Sequence, residues 1–165
     1  MLVGQLLAYA GIDKDFHATW IPSYGPEMRG GTANCSVILS DEEIGAVVVD
    51  EPDVALVFNR PSYIKYEKRV KSSGLLVINS SLVSDDTDRD DIRIVKVPAS
   101  EIADQFQNRK LTNIVMLGAM LANEPALSIS DVERSIVNHL HFKDLSLISL
   151  NLKALNQGAT FTIER

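Results

Sequence analysis

The sequence predicts an α/β fold: three layers, α/β/α, around a mostly parallel, mixed sheet, in a single domain spanning residues 1–165. Three observations lead there. The short apolar runs VALVF (54–58) and LLVIN (75–79) read as strands buried on both faces. An amphipathic helical stretch lies between them, and strand–helix–strand with short connections demands parallel pairing through a right-handed crossover. The last third then keeps a helical period throughout.

The elements follow in order. MLVGQLLAYAGI repeats its apolar residues (Leu2, Leu6, Leu7, Ala10) at helical spacing, with Gly11 as the expected C-cap. This helix opens at Met1 with no Ser, Thr, Asp or Asn to cap it. HATWIP (17–22) reads as a strand stopped by Pro22. ANCSVILS (33–40) alternates as a second strand, and GAVVV (45–49) as a further short one. Pro61 suits a first helical turn, so SYIKYEKRVKSS (62–73) reads as a basic amphipathic helix ended by Gly74. IRIVKV (92–97) is another strand. Three stripes close the chain: Leu111, Ile114, Val115, Gly118, Leu121 and Ala122; Val132, Ile136 and Leu140; and Leu145, Ile148, Leu152 and Leu155, ended by Gly158.

Composition excludes several function classes. A net charge of -6 argues against a nucleic-acid surface as the main function. No apolar run approaches the roughly 18 residues of a membrane span, and no signal peptide opens the chain. The single cysteine, Cys35, excludes an internal disulfide and, by itself, a Cys-ligated iron–sulfur cluster or structural zinc. A reducing cytoplasm is the compartment that fits. SDDTDRDD (84–91) carries five aspartates but lacks the spacing, mid-loop glycine and closing glutamate of a calcium loop, so it reads as a solvated loop. His17, His139 and His141 are scattered, and positions two apart on a helix point away from each other, so no metal site is expected. Cys35 reads as a structural thiol in a strand. Lys65, Lys68, Arg69 and Lys71 read as a solvated basic face.

The segment WIPSYGPEMRGGTAN (20–34) stands apart, because it holds large and charged residues where loops usually hold small polar ones. Gly30-Gly31 admits two readings, a close backbone approach to a ligand or a tight structural turn. A strand rather than a helix follows the pair, so no helix dipole backs an anion there. Glu27 and Arg29, two apart, reach different partners. No residue stands out as catalytic.

Over WIPSYGPEMRGGTANCSVILSD the sequence resembles the gamma subunit of the 2-oxoacid:ferredoxin oxidoreductases, of the 2-oxoglutarate or 2-oxoisovalerate type rather than the pyruvate type. The resemblance continues through Pro52-Asp53, strand 54–58, GLLVINSSLV (74–83) and LTNIVMLGAMLAN (111–123). It implies a non-catalytic subunit of a complex that oxidatively decarboxylates a 2-oxoacid, forms an acyl-CoA and passes electrons to ferredoxin. Thiamine diphosphate, magnesium and iron–sulfur clusters would then sit in alpha, beta or delta partner subunits, with coenzyme A as co-substrate. The chain alone would bind none of these cofactors and would be inactive. Tyr24, Gly25, Glu27, Arg29, Gly30, Gly31, Thr32 and Asn34 would form a loop facing coenzyme A or a partner subunit. The family opens with a strand and a GxGGQG-type turn ahead of its first helix. Here Met1 falls inside that helix, so strand and turn are expected to be missing through an internal start or an abbreviated domain. A stand-alone module for coenzyme A or a nucleotide, and a purely scaffolding subunit, are the alternatives.

Overall fold

The structure, a computed structural model, describes residues 1–24, 33–124, 126–139 and 145–163. It divides into two compact units, Met1–Val49 with Ser130–His141, and Asp50–Ile129 with Phe142–Arg165.

In the first unit, helix α1 (Leu2–Ile12) packs on an antiparallel pair, β1 (His17–Tyr24) and β2 (Ala33–Ser40). Their register runs without a slip from His17↔Ser40 to Tyr24↔Ala33. Strand alternation puts Ala18 and Trp20 of β1 on one face with Cys35, Val37 and Leu39 of β2. That face meets a strip of α1 with little or no side chain, Gly4, Ala8 and Gly11, all buried. A Cβ at Gly4 would lie 2.7 Å from Cys35 Sγ, and one at Gly11 would lie 2.6 Å from a Leu39 methyl. Gly11 is therefore a packing glycine and not the expected cap. The helix runs on to Ile12, and the N–H of Asp13 donates to Tyr9 O at 2.9 Å. Nor does Pro22 stop β1, which continues to Tyr24. A proline is tolerated on a strand edge, where its missing N–H costs no ladder bond.

Helix α5 (Ile129–His139) fastens to the same unit. Ser135 Oγ donates to Leu6 O at 3.3 Å. The buried carboxylate of Asp131 takes Lys14 at 3.3 Å and Arg134 at 2.6 Å. The His139 ring stacks on Tyr9 with centroids 4.4 Å apart, and its Nε2 lies 3.0 Å from Asp13 Oδ2. The strand expected at 45–49 does not form, and Val47 and Val48 are exposed. Strand propensity acts through cross-strand neighbours, and these valines have none in either sheet.

The second unit holds the expected parallel sheet, in the order β3 (Val54–Val57), β4 (Leu75–Asn79), β5 (Arg93–Val97). All five residues of β4 are buried, so both faces are covered. On one face Ala55, Val57, Leu76 and Ile78 pack with Tyr63 of α2 (Arg60–Tyr66), Val70 and Val83. The Asn59 side chain caps α2 by accepting the Ser62 N–H at 3.0 Å, with Pro61 in the first turn. The helix is shorter than the sequence suggests. It tightens into a 3-10 turn at Glu67–Arg69, and the chain reverses at Ser73 in a left-handed conformation before Gly74. Helix α4 (Thr112–Asn123) packs against β4 and β5.

Helix α3 (Ala99–Gln105) had no counterpart in the sequence reading, because seven residues are too few to display a period. It is tied to the sheet by Asn79, whose buried amide donates to Ser100 Oγ at 2.9 Å and accepts the Ser100 N–H at 3.4 Å. Helix α6 (Leu145–Gly158) buries Leu155 of the expected stripe, with Ile148 and Leu152 half-buried and only Leu145 exposed, and it also buries Asn151, Ala154 and Gly158. Glycine sets how closely this face packs. A Cβ at Gly118 of α4 would lie 1.9 Å from Leu155 O, and one at Gly158 of α6 would lie 1.9 Å from Val115 O. The two helices cross backbone to backbone, and the buried face of α6 is the one that carries Gly158.

Two outcomes follow for stability. In an ordinary helix Gly→Ala gains up to about 1 kcal/mol. Here Gly118→Ala drives a methyl into a backbone carbonyl and should instead cost about 1–3 kcal/mol, or more. Asn79→Ala leaves buried polar groups at the β4–α3 junction without partners and should cost about 1–3 kcal/mol. Urea unfolding of each variant checks both, and a stabilised Gly118→Ala protein would refute the close crossing.

Candidate functional site

The segment singled out in the sequence sits at the end of the β1–β2 pair. Tyr24 is the last residue of β1, pairs with Ala33 and is 70% exposed. Asn34 is half-buried opposite Ser23. Gly25, Glu27, Arg29, Gly30, Gly31 and Thr32 lie outside the described residues. The unbroken register means that 25–32 connects two strand ends held side by side, and its two ends are set by the ladder beneath it. The base of that ladder is anchored at Gly4, where the Trp20 indole and the Cys35 thiol both rest on the α1 backbone. Trp20 Nε1 is buried and has no hydrogen-bond partner among the described residues. Cys35 is half-buried and packs as a small hydrophobe there, in keeping with a structural thiol.

The acidic loop 84–91 is largely exposed, as the sequence suggested, and several of its side chains are also ion-paired. Arg60 pairs with Asp85 at 3.0 Å, and Lys96 pairs with Asp86. The Arg89 guanidinium donates to both carboxylate oxygens of Asp91, at 2.8 and 2.6 Å, and to the carbonyls of Glu67 and Val70. Thr87 Oγ1 donates to the buried Glu67 carboxylate. The physical cause is simple: an acidic run folded over a basic helix and strand finds its cations inside the chain. Beside it lies an open cleft of about 370 Å³, lined in part by Tyr63, Lys68, Thr87 and Arg89. The Lys96 hydrogen bond holds the Asp86 carboxyl below its ordinary value, and burial, with Glu67 nearby, raises the Tyr63 hydroxyl. The hydrogen bonds from Arg89 bring Asp91 down to about 2. Among the described residues no group of three or more His, Cys, Asp or Glu side chains could hold a metal ion.

The pairing of His139 with Asp13, 126 positions apart, had no signal in the sequence. Neither did the Asn79 junction. Both are long-range contacts between elements whose packing is decided elsewhere. His141 and Leu140 lie outside the described residues.

Residues 1–161 match the family described as pyruvate ferredoxin/flavodoxin oxidoreductase, and the chain belongs to this family. It is 36% identical over 162 residues to the ketoisovalerate oxidoreductase subunit VorA of Methanothermobacter marburgensis, covering 95% of this chain and 33% of that one. The chain thus spans about a third of the length of that relative. It is 33% identical over 141 residues to the 2-oxoglutarate synthase subunit KorC of Methanocaldococcus jannaschii, covering 84% of this chain and 75% of that one. Among solved structures, the gamma subunit of the keto/oxoacid ferredoxin oxidoreductase of Geobacter sulfurreducens superposes with a TM-score of 0.78 at 28% identity, covering 95% of this chain and 87% of that one. The mixed α/β fold expected from the sequence is the fold of this neighbour.

The Asp91 contact makes a pH-dependent prediction. A carboxyl whose value is lowered by folding contributes stability that is complete above its unfolded value, about 4, and is lost as pH falls toward 2. Asp91→Asn should therefore lower the melting temperature at neutral pH. The gap to the parent protein should close between about pH 4 and pH 2. A gap that persists at the acid end would mean that Asp91 acts through something other than its charge.

Proposed function

We propose that this chain is the gamma subunit of a heteromeric 2-oxoacid:ferredoxin oxidoreductase acting on 2-oxoglutarate or a branched-chain 2-oxoacid. The observation that carries the reading is its likeness to VorA and KorC together, each over most of this chain. The complex would oxidatively decarboxylate its substrate, transfer the acyl group to coenzyme A and deliver electrons to ferredoxin. Thiamine diphosphate, magnesium and the iron–sulfur clusters would be held by alpha, beta or delta subunits. This chain would contribute shape and contact, from a cytoplasmic complex.

Within that reading the β1–β2 end is the working part. Tyr24 offers a rigid, exposed amphipathic ring next to the connecting segment. Glu27 and Arg29 would be charged anchors across an interface, and Gly30-Gly31 would let the backbone come close to coenzyme A or a partner, flanked by Gly25, Thr32 and Asn34.

Co-expression with the alpha and beta subunits tests the assignment. The expected result is a stable brown complex with oxoacid- and coenzyme A-dependent dye reduction, while the chain alone shows neither cluster absorbance nor activity. Activity from the isolated chain, or its failure to join the other subunits, would refute the assignment and favour a stand-alone binding module. Arg29→Ala separates an interface role from a structural one. A surface arginine contributes roughly 0–1 kcal/mol to folding. Lost from a desolvated pair across an interface, it costs about 2–5 kcal/mol. The variant should therefore melt like the parent yet bind partner subunits or coenzyme A more weakly by over about tenfold.

A further inference from the structure

We infer that residues 46–48 form an edge strand added to a partner chain's sheet, beside basic residues of that partner. The inference rests on the subunit assignment above and names one of its interfaces.

The run Ala46-Val47-Val48 has the composition of a strand and is used in neither sheet. Val48 is 75% exposed and Val47 45%, although both belong to the first compact unit. Two adjacent β-branched side chains in water, on a backbone with no ladder partner, set local preference against the observed environment. Pairing with an outside strand resolves that conflict, since main-chain hydrogen bonds supply affinity and alternate side chains enter pockets.

The charge beside the run defines the occupant. Asp41, Glu42 and Glu43 lie just upstream, separated from it by Ile44 and Gly45, are exposed, and make no ion pair among the described residues. A second copy of this chain would bring a like triad against the first on a protein that already carries a net charge of -6. Like charges placed opposite one another on paired strands are destabilising. A different chain with Lys or Arg flanking an open sheet edge removes the repulsion and adds attraction, with the salt sensitivity of exposed charge pairs.

The test uses the chain co-expressed with the alpha and beta subunits. Val48→Pro deletes a backbone donor and should weaken assembly at least about tenfold. Its melting temperature as an isolated chain should be unchanged, because Val48 contacts solvent. Leu82→Ser, at another exposed apolar position, should leave assembly intact. Hydrogen exchange on the unsubstituted protein supplies a reading independent of any variant, and amides 46–48 should slow on assembly. Asp41→Asn/Glu42→Gln/Glu43→Gln should flatten the salt dependence of binding. A parent chain that assembles normally, with Val48→Pro assembling as well and amides 46–48 still exchanging freely, overturns this inference and leaves the subunit assignment standing. A parent chain that joins no partner overturns both. Protection of the same amides in a homodimer would make the occupant a second copy and refute the inference as stated.

Discussion

The β1–β2 pair stands on a part of α1 that has almost no side chain, and the geometry of the candidate site depends on that. Trp20 and Cys35 reach the helix backbone at Gly4, and Leu39 reaches it at Gly11. Any side chain at Gly4 must push the indole or the thiol, both of which belong to strands locked in register with each other. The displacement would therefore travel along the pair toward Tyr24 and Ala33. A two-stranded antiparallel pair has little stability of its own in water, so its position has to come from what it leans on. Here that support is a smooth helix face, itself held by α5 through Leu6, Asp13 and Lys14. Packing contacts of this kind are stiff, since interiors leave no slack for a methyl group.

How far the sequence revealed this depends on the range of the forces involved. Strands β2 and β4 were readable to the residue because their signals are local, an alternating run in one case and a continuous apolar run in the other. The parallel order followed from the crossover rule. Gly11 was misread as a cap for a simple reason. Glycine carries two meanings in sequence, a cap or a close approach, and only the partner surface decides between them. Residues 45–49 failed differently, since their propensity is real but no neighbouring strand takes it up. Of the segment WIPSYGPEMRGGTAN, the structure places Tyr24 at the exposed end of β1 and Ala33 and Asn34 at the start of β2, whereas Glu27 and Arg29 lie outside the described residues.

Electrostatics follows the same division between local and distant. The chain is acidic, but much of the acid is neutralised within it. Asp85, Asp86 and Asp91 meet Arg60, Lys96 and Arg89, and Asp131 sits between Lys14 and Arg134. The basic helical face read as solvated in sequence is partly ion-paired in the same way, with Arg69 on Asp50 and Lys71 on Asp53. Lys65 and Arg69 also lie over the Tyr66 ring. These pairings make the acidic loop a clamp over the sheet's Tyr63 face.

Taken together, the chemistry the described residues offer is that of placement. The lowered Asp86 and Asp91 carboxyls are explained by a neighbouring cation, and the raised Tyr63 hydroxyl by burial at a packing seam. Under the proposed function, such a domain would influence the reaction by where it holds a surface. On that reading, rigid support under the β1–β2 end would have a functional meaning as well as a structural one. A contact that must meet a coenzyme or a neighbouring subunit loses affinity when its elements must first be ordered, and a ladder fixed in register on a glycine-paved helix has already met that entropic cost on folding. Under the proposed function, the exposed Tyr24 ring at the end of this support is a contact held at a defined position, which is what a specific interface requires.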